Sequence, residues 1–176
     1  MTPLHSCMRS TKNILKASFK KRSNTHNISI KQAKQQICYK IKEATGARLF
    51  EPEPKTGGNS NTGGNLKIIL DESTVTHEIL DCSEEFLVTL KQLLDRVESL
   101  EMQQPQLIEF LCEKTYFLYM KEFGDHYAIS PSFHRVLYHF IEFLDFFQSQ
   151  GISFGELSEQ AIEASNYDSK QNVLKH

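Results

Sequence analysis

Two histidines and a short ladder of glutamates are the residues in this 176-residue chain whose types and spacing first invite a chemical reading. His134 and His139 stand five apart in a stretch of amphipathic pattern. On an α-helix, at ~100° per residue, that spacing puts them about 140° apart around the axis. An i, i+4 pair shares a metal on one face; this pair does not. Spacing alone therefore reads as one histidine in core contact and one at the surface, with His126 near enough to join them. Glu156, Glu159 and Glu163, three and four residues apart, line one face of a helix. Such a ladder is usually solvated surface. A carboxylate is also a preferred magnesium ligand, although one helix cannot make a two-metal site alone.

Other chemistries find little support. Cys7, Cys38, Cys82 and Cys112 are scattered, with no CxxC pair. This spacing argues against a disulfide framework and a self-contained zinc site, and suits a reducing compartment. The run GGNSNTGG lacks the GK[ST] and the preceding strand of a phosphate-binding loop. No Ser–His–Asp or Cys–His arrangement can be placed.

The elements that must position these residues read as mainly α: a bundle of about five helices, with a disordered basic amino-terminal arm and a Gly/Asn-rich loop. Residues 1–30 are polar, basic and weakly patterned around Lys20-Lys21-Arg22, which suggests disorder or a frayed helix. Ala33, Ile37, Ile41 and Ala44 predict a helix over 31–44, ended by Gly46. Glu51 to Asn65, with Pro52, Pro54 and GGNSNTGGN, reads as a flexible loop. Leu66–Leu70 leans to helix over strand. Ser83 is the expected cap of a helix carrying Phe86, Leu87, Leu90, Leu93, Leu94, Val97 and Leu100. Pro105 opens the next, which runs to Phe123. Ser130 and Pro131 open another, which ends at Gly151, and a last helix spans 156–166. The domain is expected over 31–169, with a polar tail at 170–176.

Charge is uneven. Residues 1–48 carry eleven Lys/Arg against the single acid Glu43, a balance of +10; the rest carries nine against twenty-one, a balance of −12. Two readings stay open: a nucleic-acid or nuclear-import segment, or a tail docked on its own acidic domain. No apolar run reaches the roughly 18–20 residues of a membrane span, and none follows the basic amino terminus as in a secretory signal.

Three segments in order resemble one family. GGNSNTGGN at 57–65, PSFHRVLYHFIEFL at 131–144 and FGELSEQAIEASN at 154–166 are similar to elements of Transib-type transposases and of the related V(D)J recombination-activating recombinase catalytic subunit. The resemblance covers the carboxy-terminal portion of that family, roughly Lys31 to Ser169 here. It implies DNA as partner, a nuclear location, and transposition or recombination by a site of two aspartates and one glutamate holding Mg²⁺ or Mn²⁺. The glutamate falls on Glu163, with Asn166 beside it. The family's two histidines, part of a zinc site completed by a CxxC pair, fall on His134 and His139. No strand-borne aspartate and no CxxC is found in this sequence, so the site is incomplete in the isolated chain. Where the family has paired basic residues after GN, this chain has Asn65-Leu66-Lys67-Ile68-Ile69, which keeps only Lys67. Lys67, Asn65, Lys20, Lys21 and Arg22 are the expected DNA contacts.

The leading expectation is a transposase-derived recombinase module, catalytically incomplete, in which Glu163 is the surviving metal ligand. The alternative is a helical protein–protein interaction module whose basic arm touches acidic partners or nucleic acid non-specifically. A third reading has the missing ligands supplied in trans by a partner that carries the two aspartates; the rest of a recombinase and a second copy of the chain are the protein partners considered.

Overall fold

A computed structural model of the chain describes residues 3–50, 63–99 and 101–152, and these are almost wholly helical, with no strand among them. In chain order the helices are α1 (Pro3–His26), α2 (Ile30–Thr45), α3 (Gly63–Asp71), α4 (Ser73–Leu80), α5 (Glu84–Glu98), α6 (Pro105–Phe123), α7 (Pro131–His134) and α8 (Phe140–Ser149), with a π turn (Arg135–His139) joining the last two. The mainly α expectation holds. The helix expected over 156–166, Glu163 included, the stretch 51–62 of the loop and the polar tail lie outside the described residues.

Local chemistry sets most boundaries. Ser29 caps α2 in a reciprocal box: its hydroxyl accepts from the Gln32 N–H, and Gln32 Oε1 accepts from the Ser29 N–H. Gly46, at φ 75°, closes the same helix in the left-handed conformation, donating its N–H to the Lys42 carbonyl. Ser130 accepts from the Phe133 N–H, and Pro131 fills the first helical position behind it. Ser83 departs from expectation. It occupies the cap position of α5, but its hydroxyl is buried and without a partner among the described residues, and its backbone N–H donates to Glu122 on α6 instead. The stripe that follows is buried as read, from Phe86 through Val97. Gly63, Gly64 and Asn65, read as the end of the loop, form the first turn of α3, and α4 is a helix with no counterpart in the sequence reading.

The main correction concerns the amino terminus. The expected disordered arm is α1, a helix of 24 residues that touches α2, α3, α4, α5, α6 and α7. Ile14, Leu15, Ala17 and Phe19 are buried in the same core as Ile37, Leu66, Phe86, Tyr119 and Phe133. The domain therefore does not begin at residue 31. Hydropathy hides this helix because half of its inward face is polar: Ser10, Thr11, Asn13, Ser18 and Arg22 are all buried. Specific partners make the burial of Asn13, Ser18 and Arg22 tolerable, whereas the Ser10 hydroxyl has none among the described residues. Asn13 donates to the Tyr119 hydroxyl at 3.0 Å and accepts from the Ser130 N–H at 3.1 Å. Tyr119 in turn donates to the Tyr127 carbonyl, so Asn13 ties α1 both to α6 and to the start of α7.

Candidate nucleic-acid interface

The basic cluster at residues 20–22 divides by helical position. Arg22 points inward. Its guanidinium meets the Asp81 carboxylate at 2.9 Å and donates to the Ile79 carbonyl at 3.0 Å, with its side chain only 7% exposed. Lys21 donates to the Asp81 carbonyl and stands 3.6 Å from Glu122. Both cations thus sit at the carboxyl end of α4, where orphan carbonyls and the helix dipole favour positive charge. Asp81 itself closes that helix at φ 56°. Expected as DNA contacts, these two residues are engaged within the fold, and Arg22 has no surface to offer a phosphate. Lys20 alone of the three is exposed, with its ammonium 6.0 Å from the centre of the Tyr127 ring.

The outward side of α1 carries a different set. Arg9, Lys12, Lys16 and Lys20 recur at three- and four-residue spacing, so they form one stripe. Arg9, Lys12 and Lys16 border a cleft of about 180 Å³ whose other side is Tyr127, Ser130 and Ser132, with Asn13 between. Arg9 donates to the Ser132 hydroxyl at 3.4 Å. The same Asn13 that fastens Ser130 to α1 therefore holds the hydroxyl side of the cleft against the basic side. Three cations with no acid paired to them among the described residues, facing two hydroxyls, make a setting for an anionic oxygen. The sequence reading passed over Arg9, Lys12 and Lys16. Their three- and four-residue spacing was the available signal, and it needs α1 to be a helix before it means anything.

Lys67 and Asn65 lie elsewhere, on α3. Lys67 is exposed and 3.8 Å from Glu98, a loose surface pair, and Asn65 is half-buried. Neither borders the α1 cleft. The described structure does not bring these two expected contacts together with the basic stripe.

The histidines are brought together, against the expectation from α-helical spacing. In the π turn the backbone hydrogen bonds span five residues instead of four, so residues five apart come to lie one above the other. The His134 and His139 rings consequently stand 5.5 Å apart between centres, both reaching the surface. Val136 and Leu137, on the other side of the turn, stay in the core. Cys112 on α6 donates its thiol hydrogen to the Val136 carbonyl at 3.6 Å, linking the turn to its neighbour. His139 Nδ1 lies 3.4 Å from Glu142, and His134 stacks on Tyr138 at 4.4 Å. His126 is far from this pair, beside Asn24 of α1. Two imidazoles are half of a tetrahedral zinc set. Among the described residues no group of three or more His, Cys, Asp or Glu is disposed to hold a metal ion.

Cys82 and Cys112 are buried in the fold. Burial, reinforced by Glu122, pushes the Cys82 thiol well above its ordinary range, and burial with the nearby Glu109 and Glu113 raises Cys112 to about 12. Neither has the lowered pKa of a nucleophilic thiol.

No helix among the described residues is long and apolar enough to cross a membrane. No protein-family model matches the chain, and no curated protein matches it.

Proposed function

We propose that this chain is a helical module derived from a DNA recombinase, that it works in the nucleus, and that it holds DNA by its phosphates along α1. The observation that carries the reading is the stripe Arg9, Lys12, Lys16 and Lys20, whose first three members face the hydroxyls of Ser130 and Ser132 across a cleft. Cations and hydroxyls on a rigid element suit backbone contact, which sets register without reading bases. The resemblance of 57–65, 131–144 and 154–166 to Transib-type transposases and the recombination-activating recombinase supports the recombinase part. So does the approach of His134 to His139, the positions that correspond to that family's zinc histidines. Glu163 is the residue that would hold Mg²⁺ or Mn²⁺, and His134 with His139 would supply two zinc ligands. With neither the two aspartates nor the CxxC pair, the isolated chain binds DNA without cutting it.

Fluorescence anisotropy of a labelled DNA duplex at low salt tests the binding. Replacing Arg9, Lys12 and Lys16 together by glutamine should remove most of the affinity while leaving the helical circular dichroism unchanged. Undiminished affinity in that variant would refute the assignment. In a nicking assay with Mg²⁺ or Mn²⁺, cleavage that disappears in Glu163→Gln would overturn the claim of incompleteness.

A second reading, a protein–protein interaction module, is favoured by a separate observation. Phe110, Phe117 and Met120 on α6 and Phe143 and Phe146 on α8 are all exposed, with Phe117 at 68%. Exposed aromatic and methionine side chains in this number mark a surface that a partner covers.

A further inference from the structure

Between α6 and the π turn runs an open groove of about 500 Å³, separate from the α1 cleft, whose Tyr138 and Glu142 also touch His134 and His139 from the other side. Its walls are Tyr116 and Tyr138, edge to face with ring centres 5.4 Å apart. Leu137 and Ile141 form its apolar floor. Its rim is acidic: Glu109 and Glu113, one turn apart on α6, with Glu142 opposite on α8. Neither Glu109 nor Glu113 has a cation partner among the described residues; the nearest lysine along α6, Lys114, is turned to Glu85 at 2.8 Å. Phe110, Glu113 and Phe117 follow at three and four residues along the exposed side of α6, so an apolar strip continues from the acidic rim.

From this combination we infer that the groove between α6 and the π turn takes a basic, amphipathic peptide segment of a partner protein. A lysine or arginine side chain enters over the tyrosine faces, held by Glu109, Glu113 and Glu142. Charge complementarity selects this occupant. Tyrosine rings attract cations through their π faces, and the three exposed carboxylates beside them add a Coulomb attraction that solvent and salt screen. The apolar floor and the Phe110–Phe117 strip receive the hydrophobic side of the same segment, in the manner of a helix laid in a groove. An anionic partner such as DNA is repelled here by the same three carboxylates. The inference rests on the interaction-module reading and is independent of the DNA surface on α1.

The test is fluorescence anisotropy of the full chain with a labelled peptide of about 15 residues, lysine on one helical face and leucine on the other. A glutamate-for-lysine counterpart serves as control. The lysine peptide is expected to bind and the glutamate peptide not. Glu109→Gln with Glu113→Gln should weaken binding about three- to tenfold. The charge-matched pair Glu43→Gln and Glu78→Gln, away from the groove, should leave it unchanged. Equal weakening by both pairs, or no binding of the lysine peptide, overturns the inference. Binding insensitive to Glu109, Glu113 and Tyr138→Leu also overturns it, while leaving a module that uses another face. Sedimentation showing a dimer that Glu109→Gln and Glu113→Gln dissolve would give the groove to a second copy of the chain and equally overturn the peptide assignment.

Discussion

Arg22→Ala separates a basic arm built into the fold from one that is free to meet DNA. Arg22 makes three polar contacts, two with the Asp81 carboxylate at 2.9 and 3.0 Å and one with the Ile79 carbonyl at 3.0 Å. Truncation leaves that carbonyl without its donor at the end of α4 and the carboxylate without its cation. Breaking a fully buried ion pair costs about 3–5 kcal/mol. Here Asp81 is 34% exposed, so water recovers part of the loss, and about 2–3 kcal/mol is expected. For a chain of this size that corresponds to a fall in Tm of roughly 5–10 °C. Arg22→Met keeps the apolar stem packed and should cost less. Urea denaturation followed by circular dichroism gives the free-energy change, and anisotropy with a DNA duplex at low temperature gives the affinity of the still-folded variant. A loss below about 0.5 kcal/mol, the range of ordinary surface substitutions, with a clear drop in DNA affinity would refute the docked-helix reasoning.

Salt dependence tests the proposed phosphate contacts on α1. With Arg9, Lys12, Lys16 and Lys20 engaged, the logarithmic salt slope for duplex binding should be about −3.6, roughly 150-fold between 50 and 200 mM. Neutralising Arg9, Lys12 and Lys16 should bring it to about −0.9, and an unchanged slope would place the contacts elsewhere. Alkaline pH probes the buried acids. Burial raises Cys82, Cys112 and Tyr119, the phenol to about 12, so the unfolded chain ionises first. Their stabilisation is complete below the unfolded thiol value of about 8.5 and is lost progressively as pH rises from there toward about 12. Tm measured from pH 7 to 11 should fall, and Cys82→Ala with Cys112→Ala should flatten the first part of the decline. The π turn is open to NMR. On titration with Zn²⁺ the imidazole signals of His134 and His139 should shift together, and His134→Ala should weaken the response at His139; independent shifts would mean that the rings do not share an ion.

Much of the helical framework was legible along the chain because its signals are local. Ser29 and Gly46 bracket α2, and Ser130 with Pro131 opens α7. The apolar period of Phe86 to Val97 states which side of α5 is buried before any neighbour is known. Composition also separated a basic first quarter from an acidic remainder, and left open whether the two would meet. Only the tertiary structure decided that they do. The inward face of α1 is half polar, and Asn13 and Arg22 become core residues solely because Tyr119, Ser130, Asp81 and Ile79, distant in sequence, supply their hydrogen bonds. It also decided which cations stay at the surface, by turning Lys21 and Arg22 to the end of α4 and leaving Arg9, Lys12, Lys16 and Lys20 outside. The histidine pair depends on the fold for the same reason. Side-chain periodicity assumes one helical pitch, and a single π turn, packed against Cys112 of α6, changes the pitch where His134 and His139 stand and brings their rings to one side.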